Sequence, residues 1–132
     1  MPRKPDLREV AAIFLGGMAG AVARVWIGRH LLAADRWPWA IFLINVSGTV
    51  LLGYAVTRLQ ERLPQSTYRR PLLGTGFCGA FTTFSTMQVE IVTMLDDHHD
   101  GLAIGYAAAS IATGYLAIWI TAALVRRLRT FA

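Results

Sequence analysis

Cysteine is almost missing from this chain. Cys78 stands alone in 132 residues, which excludes an internal disulfide and a cysteine-rich metal site. Set inside an apolar run, it reads as a small buried residue. Charge is also sparse: Asp, Glu, Lys and Arg make up 16% of the chain against 55% hydrophobic residues, and mean hydropathy is +0.44. Ordinary soluble domains carry about a quarter charged residues. Here the charges fall in short clusters between long apolar runs instead of alternating along amphipathic elements, so the solvent is lipid. Acids are fewer than bases, 8 against 13, which leaves a net charge of +5. The bases form no helix face and accompany no aromatic RNA-binding signature, which excludes a nucleic-acid partner. No nucleophile with a base, metal cluster or nucleotide loop is present, so an enzyme is not expected. Low-complexity tracts are absent as well.

What is present is four apolar runs. Residues 10–32 hold one charge before Arg29, namely Arg24, and match the roughly 20 residues that cross a hydrocarbon core. The polar segment before them lacks a clear cleavage site, so this run is expected to be a first span rather than a removed signal. Residues 37–57 are uncharged and open on Trp37 and Trp39 around Pro38. Residues 71–95 follow Arg69 and Arg70 and are apolar or small and polar, apart from Glu90. Residues 101–125 carry no charge and end at Arg126, Arg127 and Arg129. The links, 4 to 13 residues long, leave no space for a soluble domain. The expectation is an all-α membrane protein, one domain of four transmembrane helices, with function residing among them.

Basic residues set the orientation. With four spans both termini and the second loop share a side, which holds ten: Arg3, Lys4, Arg8, Arg58, Arg62, Arg69, Arg70, Arg126, Arg127 and Arg129. The other side holds only Arg29 and Arg36, with Asp96, Asp97 and Asp100. Both termini are expected in the cytoplasm. His98 and His99 sit with those acids, but adjacent loop residues seldom converge on one ion, and a solvated loop is the better reading.

The polar residues inside the spans carry the functional signal. Span 1 places Ala12, Gly16, Gly20 and Arg24 on one stripe; the glycines suit close helix packing, and a charge as deep as Arg24 must be paired, wetted or snorkelled. Span 2 places Asn45, Thr49 and Gly53 on one face, to pack helices or line a polar path. Span 4 does the same with Tyr106, Ser110, Thr113, Gly114, Ala117 and Thr121. Span 3 is the most unusual: Gly74, Gly76, Gly79, five hydroxyl residues from Thr75 to Thr86, Gln88 and Glu90 occupy one crossing. Gly and β-branched Thr weaken a helix, and a glycine-rich break is tolerated in a membrane only where protein or a water-filled cavity receives the freed backbone groups. Freed carbonyls suit a cation, while hydroxyl and amide donors suit an anion. On pattern alone, Phe81 and Phe84 read as core packing.

The run Gly79-Ala80-Phe81-Thr82-Thr83-Phe84-Ser85-Thr86, preceded by Gly76-Phe77-Cys78 and followed by Glu90, resembles the signature of the Fluc, or CrcB, family of fluoride channels. Arg24 after a glycine-rich first span and Asn45-x-x-Gly48 in the second extend the resemblance over nearly the whole chain. It implies a passive fluoride channel in a bacterial or archaeal inner membrane, built as an antiparallel dimer with two pores at its interface. It also implies a structural sodium ion between broken third helices. By position, the Gly79 and Thr82 carbonyls would bind sodium. Asn45, Phe84, Ser85, Thr86, Met87, Tyr106 and Ser110 would line the fluoride pore, and Arg24, Gly48 and Glu90 would serve structural or electrostatic roles. Met87 stands where the family usually has a second pore phenylalanine. The strong charge bias suits one preferred orientation, so the partner is either a second copy or an oppositely inserted paralogue. Two rivals remain open: a proton-coupled four-helix exporter, which needs a membrane-embedded acid, and a noncatalytic membrane assembly protein.

Overall fold

The computed structural model describes residues 6–31, 37–61 and 68–128. Leu32 of the first expected span, and Arg3, Lys4, Arg36, Arg62 and Arg129 of the charge count, lie outside them. Among the described residues every regular element is a helix.

α1 (Leu7–His30) starts three residues before the expected span because Asp6 caps it, its side chain accepting from the Arg8 N–H at 3.0 Å. α2 (Trp39–Glu61) begins just after Pro38 and continues past Arg58, a charge that a helix end near the membrane surface tolerates. α3 comprises a π-helical stretch, Pro71–Cys78, and an α-helical turn, Gly79–Phe81. α4 (Phe84–Asp96) and α5 (Asp100–Arg127) complete the chain. α1, α2 as far as Leu59, and α5 are each long and apolar enough to cross a membrane. Large apolar side chains such as Phe14 (66% exposed) and Ile111 (70%) cover the outside, as a lipid solvent requires. The protein is an all-α membrane protein with a bent third span.

That span is interrupted at Thr82–Thr83, not at its glycines. Thr82 (ψ 157°) and Thr83 (φ −149°, ψ 114°) are extended, a conformation that β-branched residues accept readily. The glycines serve close approach instead. A Cβ at Gly16 would overlap the Leu72 carbonyl oxygen, one at Gly20 the Phe77 carbonyl oxygen, and one at Gly76 would lie 2.6 Å from the Ile13 oxygen. α1 and α3 therefore meet backbone to backbone, which any side chain at these positions would prevent. On the other side Gly53 of α2 faces Ile118 and Thr121 of α5. α4 packs on α5 around Met87, Met94, Ala103 and Tyr106.

Candidate functional site

The interruption between α3 and α4 is held from outside by Asn45 of α2. Its Nδ2 donates to the Thr83 carbonyl at 3.0 Å, and its Oδ1 accepts from the Thr83 N–H at 2.9 Å. One amide thus imitates a neighbouring strand and satisfies both backbone groups of a residue only 7% exposed. Gly48, one turn further along α2, lets the clip close: a Cβ there would overlap Thr82 Cγ2 and come within 3.2 Å of Phe81 Cδ1. Asn45-x-x-Gly48 is therefore one device, with Asn45 pairing and Gly48 giving room.

Two backbone oxygens are released as a result. In a continuous α-helix the Thr83 N–H would bond the Gly79 carbonyl, and the Thr86 N–H the Thr82 carbonyl. Here the first donates to Asn45, and the second donates to Thr83 Oγ1 at 3.2 Å as the cap of α4. The Thr82 N–H and hydroxyl both turn back to the Cys78 carbonyl, at 3.0 and 2.9 Å, so neither reaches Gly79. The hydroxyls gather next to these carbonyls. Thr83 Oγ1 lies 2.9 Å from Thr86 Oγ1 and 3.3 Å from Ser85 Oγ. Asn45, Gly48, Gly79, Thr82, Thr83 and Phe84 share the wall of a cleft of about 300 Å³. The Phe84 ring is 71% exposed beside it, unlike a core residue.

The remaining site residues expected from the sequence form a second group. Met87 (8% exposed) and Tyr106 (0%) are buried together, with Trp37 meeting the Tyr106 ring edge to face at 5.3 Å. Met87 therefore turns into the subunit and does not line the cleft beside Phe84. The Tyr106 hydroxyl donates to Glu90 Oε2 at 2.7 Å, tying α5 to α4. Ser110, one turn along α5, buries its Oγ without a hydrogen-bond partner among the described residues, a donor left for a ligand or water. Arg24 is half-buried, one turn beyond Gly20 on the side of α1 that faces α3.

Thr83 is the residue that the sequence reading passed over. A threonine directly before an apolar helical run is an N-cap signal, and it could have located the interruption. Trp37 Nε1, also buried without a partner among the described residues, carries no such signal in the sequence. Among the described residues no group of three His, Cys, Asp or Glu side chains is placed to hold a metal.

Known proteins match this sequence along most of the chain. The family model described as "CrcB-like protein, Camphor Resistance (CrcB)" matches residues 11–122. The chain is 58% identical over 126 residues to a protein of Mycolicibacterium paratuberculosis named "Fluoride-specific ion channel FluC 1", covering 94% of this chain and 95% of that one. A protein of the same name from Mycobacterium tuberculosis is 54% identical over 125 residues, with the same coverage of 94% and 95%. "Fluoride-specific ion channel FluC 2" of Moorella thermoacetica is 42% identical over 107 residues, covering 80% and 86%.

Proposed function

The chain belongs to the CrcB-like family, a family of fluoride channels and not of enzymes, and from that premise we propose that it is one subunit of a channel releasing cytoplasmic fluoride by passive diffusion. The observation that carries the reading is the Thr82–Thr83 interruption. It frees two carbonyls, gathers hydroxyls beside them and leaves the Phe84 ring exposed at one cleft. Freed backbone oxygens inside a membrane call for a protein partner or a wet cavity, and the exposed Phe84 ring lies on the face that such a partner would cover. In the proposed assembly a second subunit, inserted the opposite way, covers this face and two pores run along the interface. The partner is a copy of this chain or an oppositely inserted paralogue.

Fluoride is small and strongly hydrated, so a path must offer donors to replace its water. Ser85, Thr86 and Ser110 supply hydroxyls, and the Phe84 ring edge supplies the positive part of its quadrupole. Asn45 uses one amide N–H on Thr83 and keeps a second, which faces the anion in this reading. Sodium fits the oxygens present: the neutral Gly79 and Thr82 carbonyls of each subunit would hold it, and it would supply positive charge at the membrane centre. In this reading the basic count favours cytoplasmic termini for this subunit, in a bacterial or archaeal inner membrane.

Fluoride efflux from liposomes holding the purified protein tests the reading. Efflux that continues without a proton gradient is expected. Absence of efflux, both alone and with an oppositely inserted paralogue, would sink it, and strict dependence on proton exchange would favour the exporter.

A further inference from the structure

The basic end of the molecule carries a feature that channel function does not use. Arg8 lies one turn before Ala12 on the row that continues to Gly16 and Gly20, so it stands at the open end of the α1–α3 seam. There its Nη1 donates to the Tyr68 hydroxyl at 3.1 Å, across 60 positions of sequence. Tyr68 is itself fixed, since its carbonyl accepts from the Leu72 N–H at 2.9 Å and joins it to the winding of α3. Arg69 and Arg70 follow directly, and all four side chains are exposed. Asp6 caps α1 through the Arg8 N–H and its charge also acts on the Arg8 guanidinium, and Glu9 follows Arg8 in the same turn, so the corner stays basic by three arginines to two acids. Below this corner, Leu7, Val10, Phe14 and Met18 form an exposed apolar stripe along α1 at steps of three and four.

We propose that Arg8, Tyr68, Arg69 and Arg70 bind the phosphate of an anionic phospholipid whose acyl chains lie along the α1 stripe. An arginine fork matches phosphate oxygens in geometry as well as charge, and its bond to Tyr68 already orders it. A basic cluster at the membrane surface attracts anionic headgroups, and an interfacial tyrosine suits that depth. The bound lipid would clamp the ends of α1 and α3 where the Arg8–Tyr68 hydrogen bond already joins them. This proposal stands apart from fluoride conduction.

The test is the thermal unfolding midpoint of the purified protein in neutral detergent. Phosphatidylglycerol is expected to raise it by several degrees, and phosphatidylcholine or inorganic phosphate is not. The double variant Arg8→Gln, Arg70→Gln should lose at least half of that rise, while Arg126→Gln, Arg127→Gln, which removes the same charge elsewhere, should keep it. If the first variant does not fold, Tyr68→Phe takes its place, and native mass spectrometry should find fewer retained phosphatidylglycerol molecules than in the wild type. An equal rise with phosphatidylcholine or phosphate would overturn the site. So would full lipid retention by the corner variants, or equal loss in the Arg126, Arg127 variant.

Discussion

Replacing Asn45 by leucine removes the amide that spans the interruption, and its consequences follow from two hydrogen bonds. The Thr83 carbonyl loses its donor at 3.0 Å and the Thr83 N–H its acceptor at 2.9 Å. A buried backbone group left unpaired costs about 1–3 kcal/mol, so the pair together costs about 2–6 kcal/mol if the interruption stays open. The chain has one escape: the freed Thr83 N–H can close on the Gly79 carbonyl and restore helix. That recovers part of the loss but withdraws an oxygen from the proposed cation site. Asn45→Leu is therefore expected to lose stability, fluoride flux or both, by denaturation in detergent and by liposome efflux. An Asn45→Leu protein with wild-type midpoint and wild-type flux would refute the account of the interruption.

Other substitutions probe the rest of the molecule. Gly16→Ala should destabilise by about 1–3 kcal/mol or more, because the new methyl meets the backbone of Leu72 and cannot be accommodated by a rotamer change. Gly114→Ala has nothing within 4 Å and should be neutral or stabilising by up to about 1 kcal/mol; thermal denaturation of the two compares them directly. Phe84→Ile should reduce fluoride flux strongly while leaving the subunit's fold intact, since the ring is 71% exposed; wild-type efflux would remove its pore role. Tyr106→Phe deletes the 2.7 Å bond to Glu90 and leaves a half-buried acceptor without that donor, which should cost about 1–3 kcal/mol, read as a lower unfolding midpoint.

The sequence made the helical class and the membrane setting legible, because charge segregation and run length depend on the solvent and need no knowledge of packing. It also marked the third span as irregular, since glycine and threonine both weaken helix. It did not say which residue type would break. Glycine permits a break but also permits contact, and the choice was made by α1, whose Gly16 and Gly20 take up the α3 backbone at Leu72 and Phe77 while Gly76 makes room for α1 in return. Thr83, a β-branched residue with a hydroxyl that can cap α4, was left to turn.

The candidate site divides in the same way. That Asn45, Gly48, Gly79, Thr82 and Phe84 belong together was readable from a motif, but the motif did not say what Asn45 does. Only the tertiary structure shows its amide paired with Thr83 across 38 positions, and only there do the Gly79 and Thr82 carbonyls lose their helical donors. Met87 illustrates the limit most plainly. Three residues after Phe84 on one helix, it could have shared the cleft, yet it is buried against Tyr106 while Phe84 is exposed. A helical repeat specifies the angle between two side chains. Which of them meets a neighbour depends on where that neighbour sits, and that is decided by α2 and α5.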